Sequence, residues 1–414
     1  MDRNIVKVLA PGLKSVSEHR ADVIAAIRPL PPRLMELEDS DGAVLAADVT
    51  AGWPLPLFDH SAMDGYAVMA RDVVLATRAA PVTLRVEAEV TAGDTRVRRL
   101  AAGTCVKIMT GALLPAGADA VVRVEWTDGG RHKAAISRPV YPGDAVREAG
   151  YDAQPGDVLL PAGTRLGPRQ LGLLAAAGQH AVVARPRPRV SVLSAGNELA
   201  GADRCLLPGQ IWESNGLMLA AAARQAGGVA RRHPRTRDDR DEVLAALGEA
   251  APGADLLVTS GGISMGGEHD IFKAALQGRD TVRFRRVAMQ PGMPQGFGAV
   301  GEPATPIVLL PGNPVSAFVS FHLFAVPAMR ALQGADDGEP PTTSAVLGAA
   351  LRSPAGKASF IPAVHDPATG EVAPAGQSSH QLTALAQANA LIIVPARVTA
   401  LSVGDPVEIL ALPV

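Results

Sequence analysis

Apolar positions near the start of the chain recur at helical spacing. Val16, Val23, Ile24 and Ile27 share a face, and Ser15-Val-Ser-Glu18 has the spacing of a capping box. That spacing predicts a helix through about Arg28, stopped by Pro29 to Pro32. Residues 34–47 read as a short strand and turn. From Asp48 to Gly150 the pattern shortens to β-runs at 82–90, 104–109, 119–125 and 133–136, with Asp128-Gly-Gly130 as a hairpin turn. Residues 168–177 return to helix, closed by Gly178. The alternating Arg185-Pro-Arg-Pro-Arg189 reads as a stiff linker.

Beyond it the period alternates. Apolar runs at 190–193, 255–259 and 307–310 read as buried strands; 215–225, 239–247, the stretch from 270 and 314–330 read as helices. Strands alternating with helices predict a parallel sheet wound on both faces. Residues 336–341 are polar and break structure, and 391–394 and 406–410 are short strands of a small barrel. The expected fold is therefore α/β and multidomain. It comprises a split α+β domain (1–50 and 151–186), a β-rich insertion (51–150), a central doubly wound parallel-sheet domain (187–335) and a C-terminal small β-barrel (336–414).

Composition narrows the function. Of 414 residues, 42 are Gly and 34 Pro, short of the level at which chains lose structure, and 47% are hydrophobic, enough for several cores. Aromatics are 3%, so no large base-stacking platform is available. With Lys+Arg 39 against Asp+Glu 41, no global field draws nucleic acid or an anionic membrane, and neither is expected as a partner. Lys occurs six times, so Arg supplies the other 33, a bias that reads first as composition. Cys105 and Cys205 lie too far apart for a disulfide framework or zinc pattern, which points to a reducing, cytoplasmic setting. Early charges at Asp2, Arg3, Lys7 and Lys14 do not read as a signal peptide, and no apolar run of about 18 residues stands out as a membrane span.

Two strand–turn–helix loops carry candidate chemistry. In Thr259-Ser-Gly-Gly-Ile-Ser-Met-Gly-Gly267, Gly261 and Gly262 let backbone N–H groups approach an anion, and Ser260 and Ser264 add hydroxyl donors. The loop lacks the lysine of a P-loop. It ends in Glu268-His-Asp270, carboxylates placed to share Mg²⁺ with phosphate. In the second loop, Pro311, Gly312, Asn313, Pro314 and Ser316 combine a Pro suited to the first helical position with a capping Asn and a donor Ser. Glu198, in Ser194-Ala-Gly-Asn-Glu-Leu199, follows a third strand, at the end where open parallel sheets bind ligands. Phe58-Asp-His-Ser-Ala-Met-Asp-Gly-Tyr-Ala-Val68 is a polar segment in an apolar frame; His60 and Ser61, adjacent in sequence, do not suggest a nucleophile pair.

Together with Ile108-Met-Thr-Gly-Ala112, Pro161-Ala-Gly-Thr164 and Pro291-Gly-Met-Pro294, these segments resemble the MoeA family of molybdopterin molybdenumtransferases, which includes the E domain of gephyrin. The resemblance runs in order from about residue 15 to the C-terminus. It implies four subdomains, a homodimer, and molybdate insertion into adenylylated molybdopterin with release of AMP in the presence of Mg²⁺. A related adenylyltransferase is a further implied partner. Two other functions remain open: molybdopterin adenylylation itself, or a non-catalytic scaffold.

Matched to the family motifs, Asp64, Glu198, Asp238 and Asp270 are the implied catalytic residues, with Asp238 and Asp270 on the metal. Asp239 leaves that register open by one. Thr110 and Ser379 are implied substrate contacts, and Asp64 and Thr110 reach a partner's sheet domain. Many members carry Lys-Pro-Gly-Lys where this chain has Gln290-Pro-Gly-Met293. The implied molybdate pocket therefore consists of Arg286, Gln290, Pro294 and Lys357. Two lost hydrogen bonds from charged groups amount to about 3–6 kcal/mol if nothing replaces them.

Overall fold

The structure, a computed structural model, describes residues 12–264, 270–278, 281–335, 340–376 and 380–412. The chain divides into two compact units: residues 34–41 with 45–183, and the chain up to 33 with 42–44 and everything from 184 onward.

The unit of residues 34–41 and 45–183 is built on a five-stranded sheet in the order Ala120–Arg123, Gly65–Val68, Thr104–Ile108, Val82–Val90, Lys133–Ile136. The apolar alternation of these runs buries Tyr66, Val68, Leu84, Val122 and Ile136 in one core. The expected hairpin is corrected. The strands flanking Asp128-Gly-Gly130 pair with Gly65–Val68 and Val82–Val90, not with each other. A 3-10 turn at Val124–Trp126 ends the first strand before the turn, leaving a single bridge, Thr127 to Ile136, between the two sides. Helix Pro168–Ala176 starts with Pro in its first turn and passes into Gly178 at φ 74°.

The second unit carries a six-stranded sheet. Its strands are β1 (Arg189–Ser194), β2 (Val229–Arg232), β3 (Leu256–Ser260), β4 (Val282–Arg286), β5 (Pro294–Val300) and β6 (Thr305–Leu310), in the order β2-β1-β3-β6-β5-β4. Four run parallel, joined through helices α1 (Asn215–Gln225), α2 (Arg240–Ala250) and α3 (Ile271–Leu276). Side chains alternate between faces. Val190, Val192, Leu256, Val258, Val308 and Leu310 pack with α1 and with α4 (Pro314–Ser320). Leu193, Leu257, Ile307 and Leu309 pack with α2 and α3 on the other face. The sheet is thus doubly wound, as expected, but not wholly parallel. β5 alone of the six is reversed, antiparallel to both β6 and β4; seven residues link it to β4 and no crossover helix intervenes.

After α4 the helix continues through a π turn, Phe321–Ala325, into α5 (Val326–Leu332). Pro327 lacks an N–H and its ring would clash with the carbonyl of residue 323 in a regular helix; the wider turn avoids both. The whole stretch Pro314–Leu332 is long and apolar enough by composition alone to cross a membrane, a longer apolar stretch than the sequence reading picked out; 83% of its most apolar window is buried inside the protein, as in a core helix. The N-terminal helix Val16–Ala25, with its capping box formed as expected, packs on this core through Val23 and through His19, edge-on to Phe297 and Phe324. The Arg/Pro stretch is anchored rather than a free linker: Arg187 donates to the carbonyls of Gly227 and Gly228 at 3.0 Å each.

The C-terminal strands β7 (Thr342–Leu347), β8 (Ala358–Asp366), β9 (Glu371–Pro374), β10 (Ala390–Val394) and β11 (Pro406–Ala411) pair around a ring, β8-β9-β7-β11-β10-β8. This closed five-stranded barrel holds Leu347, Ala363, Val372, Ile392 and Ile409 inside. Met289–Gln290 adds to β8 by parallel pairing, opposite Ala358 and Ser359.

Candidate functional site

The carboxyl ends of β1, β3 and β6 converge on one cleft, lined by Ser194, Glu198, Asn215, Ser260, Gly312 and Pro314 among others. Its floor is two backbones in close approach. Gly261 and Gly262 have φ of 92° and 59°, and a Cβ on Gly261 would lie 2.9 Å from the Ala195 carbonyl oxygen. A Cβ on Gly312 would lie 3.3 Å from Gly261 Cα, so the two loops meet glycine to glycine.

Asn215 joins them. Its Nδ2 donates to Ser260 Oγ at 2.8 Å and to the Gly312 carbonyl at 2.6 Å, while its Oδ1 is buried without a hydrogen-bond partner. Ser260 Oγ in turn donates to the Pro311 carbonyl at 3.1 Å. Glu213 accepts from Gly216 N–H and Ser194 Oγ, fixing the entry to α1. Sequence reasoning missed Asn215, Glu213 and Ser194. Glu213-Ser-Asn-Gly before an Ala-rich run reads as a helix start, yet Ser214, the N-cap, makes no side-chain cap bond and Asn215 spends its amide on the loops.

The carboxylates divide by surroundings. Glu198 is exposed at the cleft's rim. Asp239 caps α2 by accepting from Asp241 and Glu242 N–H groups. Asp238 instead faces the Gly-Asn-Glu turn: its carboxylate accepts from Asn197 N–H, and its own N–H donates to Asn197 Oδ1, both at 3.1 Å. Asp270 is 5% exposed at the N-cap of α3 but does not cap it. Its Oδ1 accepts from Ser264 Oγ at 2.6 Å, and its Oδ2 is buried with no hydrogen-bond partner among the described residues. A buried carboxylate oxygen with nothing to accept from is costly unless a cation or donor arrives. Among the described residues, no group of three or more His, Cys, Asp or Glu gathers as a metal centre. Glu268 and Ser379 lie outside the described residues.

The second loop is capped. Asn313 accepts from Ser316 N–H at 3.2 Å, with Pro314 at the first helical position. Ser316 is buried, and its hydroxyl donates to Asn313 Oδ1 at 3.4 Å.

Gln290 opens into a separate cavity of about 930 Å³, against the barrel, whose lining includes Arg352, Ser359 and His380. Arg286, Pro294 and Lys357, expected beside Gln290, do not line it. Arg286 and Pro294 face each other across β4 and β5, and Arg286 reaches Met293 Sδ at 3.7 Å. Lys357 precedes β8. The cavity's cation is Arg352. Beneath, Gln295 is buried and holds the turn after Gln290, donating to the Gly292 carbonyl at 2.6 Å and Ser320 Oγ at 2.7 Å.

In the other unit, Asp64 and Thr110 meet. The Asp64 carboxylate accepts from both the N–H and the hydroxyl of Thr110 at 2.8 Å, which holds its pKa below the usual carboxylate range although the pair is exposed. Ser61 is buried and donates to the Met63 carbonyl, so it is not activated by His60.

Three family models cover the chain: MoeA N-terminal region (domain I and II) over residues 14–178, Probable molybdopterin binding domain over 191–331, and MoeA C-terminal region (domain IV) over 344–412. Molybdopterin molybdenumtransferase 2 of Mycobacterium tuberculosis is 44% identical over 404 residues, 96% of this chain and 99% of that protein. The molybdopterin molybdenumtransferase of Bacillus subtilis is 35% identical, covering 90% and 88%. Two structures of the molybdopterin biosynthesis MoeA protein from Pyrococcus horikoshii superpose with TM-score 0.77 each, at 30% and 27% identity, over 96% of this chain and 99% of theirs. A match of this length and identity, over the fold just described, places the protein in the MoeA family of molybdopterin molybdenumtransferases.

Proposed function

We propose that this molybdenum-cofactor enzyme inserts molybdate into adenylylated molybdopterin, releasing AMP, and that it does so with Mg²⁺ as a homodimer. The observation that carries the reading is the meeting of two glycine-floored loops with Glu198 at one end of the parallel sheet; Asp270, which follows the first of these loops in the chain, adds a buried carboxylate oxygen without a partner. The two loops suit the ends of an extended phosphate-bearing ligand, with backbone N–H groups near the α4 terminus and Asn215 holding the loops in register.

Asp270 fits a cation: it is a buried carboxylate with one oxygen held by Ser264 and the other unsatisfied. Asp238, free of the helix cap that Asp239 provides, would share that ion. When bound, Mg²⁺ supplies charge neutralisation at the phosphate oxygens of the leaving AMP. Ser264 orients the Asp270 carboxylate, and the glycine loops exclude side chains from the phosphate path. Glu198 stands at the mouth as a carboxylate able to accept a proton. Asp64 and Thr110, pre-formed as an exposed pair, complete the site from a second copy of the chain. The dithiolene sulfurs belong to the substrate, so the protein needs no cysteine ligand. The Gln290 cavity takes the molybdate, with Arg352 as its cation.

Purified protein given adenylylated molybdopterin, Mg²⁺ and molybdate releases AMP in proportion to molybdate, measured by chromatography. No molybdate-dependent AMP would sink the reading. Size-exclusion chromatography with light scattering checks the dimer.

A further inference from the structure

We infer that His380 donates a hydrogen bond to the oxyanion in the Gln290 cavity, and that Asn313 dictates which of its ring nitrogens carries the proton. The inference rests on the reading of that cavity as the molybdate pocket and adds to it a residue and a proton position.

The chain of reasoning begins at a helix cap. Asn313 Oδ1 accepts from the Ser316 backbone N–H, a group that can only donate, so the amide oxygen faces α4. Asn313 Nδ2 therefore faces outward, where it meets His380 Nδ1 at 3.1 Å. An amide NH₂ donates and does not accept, so His380 Nδ1 is the acceptor and the neutral ring carries its proton on Nε2. A helix cap on one domain thus sets the tautomer of a histidine on the loop before the barrel's last strands.

The same ring lines the cavity with Gln290, Arg352 and Ser359. An amide, a guanidinium, a hydroxyl and an imidazole N–H form a set of donors suited to a tetrahedral dianion. Among the described residues, His380 and Arg352 are the ionisable side chains in that lining. A hydrogen bond to a dianion is about twice as strong as one to a neutral acceptor. An oxyanion in the cavity is therefore the strongest acceptor open to Nε2–H, while Asn313 keeps Nδ1. His380 and Arg352 together stand in for donors that family members carry as lysines at 290 and 293. Because Asn313 sits between Gly312 and Pro314, both of which line the phosphate cleft, the histidine is anchored to a wall common to the two sites.

The test uses the full-length protein, with molybdate binding by calorimetry alongside the molybdate dependence of AMP release. His380→Ala raises molybdate Kd and KM about tenfold with kcat nearly unchanged. His380→Gln, whose amide reaches the position of Nε2–H, restores both, whereas His380→Asn, which reaches only the position of Nδ1, does not. The ring is exposed, so each variant keeps the wild-type melting temperature. Equal affinity in wild type and His380→Ala overturns the inference, and so does rescue by Asn in place of Gln. Wild-type protein that binds molybdate with His380-dependent affinity yet releases no AMP would overturn the proposed reaction and leave the binding role standing.

Discussion

The two loops that floor the cleft differ in how they end. The loop after β6 is complete in itself: Asn313 caps α4, Pro314 occupies the first turn, and Ser316 closes on the cap. The loop after β3 is not. Asp270 stands where a cap belongs but leaves α3 uncapped, holds Ser264 with one oxygen and leaves the other buried and unpaired. One loop has its polar groups satisfied by the fold; the other has a group that the fold brings in and does not satisfy. In the first the polar side chains close on one another, and in the second one carboxylate oxygen is left over, although both sit on the same sheet and both begin as glycine turns.

The sharpest way to break that contrast is Asp270→Asn. It removes a buried charge without a partner, so the melting temperature holds or rises, while AMP release falls by about 10²–10³. A large drop in melting temperature with activity retained would make Asp270 scaffold after all. Acid should next expose the complete loop's dependence on its helix. His322, on the π turn, and His19, against Phe324, are both buried and held neutral, their pKa values lowered by burial from 6.5 to about 4. The unfolded chain binds their protons first, so stability is full above about pH 6.5 and is lost as pH falls toward 4, by at most about 3 kcal/mol for each. Lys14, Asp22 and Arg285 are the charges acting on His19. Urea unfolding at pH 7.5 and 4.5 measures the loss, and His322→Phe removes about half of it, leaving the share of His19.

Asn215→Ala cuts the bonds that tie the two loops together. It costs about 1–2 kcal/mol of stability and raises KM for the molybdopterin substrate with little effect on Mg²⁺ dependence, measured by steady-state kinetics. The smallest effect sharpens the comparison most directly. Asn313→Ala loses a true cap and about 1 kcal/mol in thermal unfolding, whereas the matching position Asp270 loses none.

Much of this was legible in sequence because period and glycine placement are local signals. The runs at 190–193, 255–259 and 307–310 became β1, β3 and β6, and both loops fell at strand ends as expected. What escaped depended on non-local pairing. β4 reads Val-Arg-Phe-Arg-Arg and β5 carries two glycines, so neither shows a clean alternation, and their antiparallel turn could not be told from a crossover. The Gln290 cavity takes residues from β8, from the stretches 349–354 and 374–376, from His380 and from Gln290 itself. No spacing in the chain foretells that Arg352 rather than Lys357 joins it. Asn215 was hidden by its own helix: an Asn before an Ala-rich run looks like a cap, and only the fold shows its amide reaching two other loops.

The order of the six-stranded sheet has a consequence for solubility. Its outermost strands are β2 and β4, and an unpaired strand edge is an invitation to another chain. Both edges are studded with arginine, Arg231 and Arg232 on one and Arg283, Arg285 and Arg286 on the other, and the β4 edge is further crossed by the Lys14 backbone at Arg286 and Val287. Part of an arginine excess that looks like mere composition thus stands guard where two copies of the sheet could otherwise zip edge to edge.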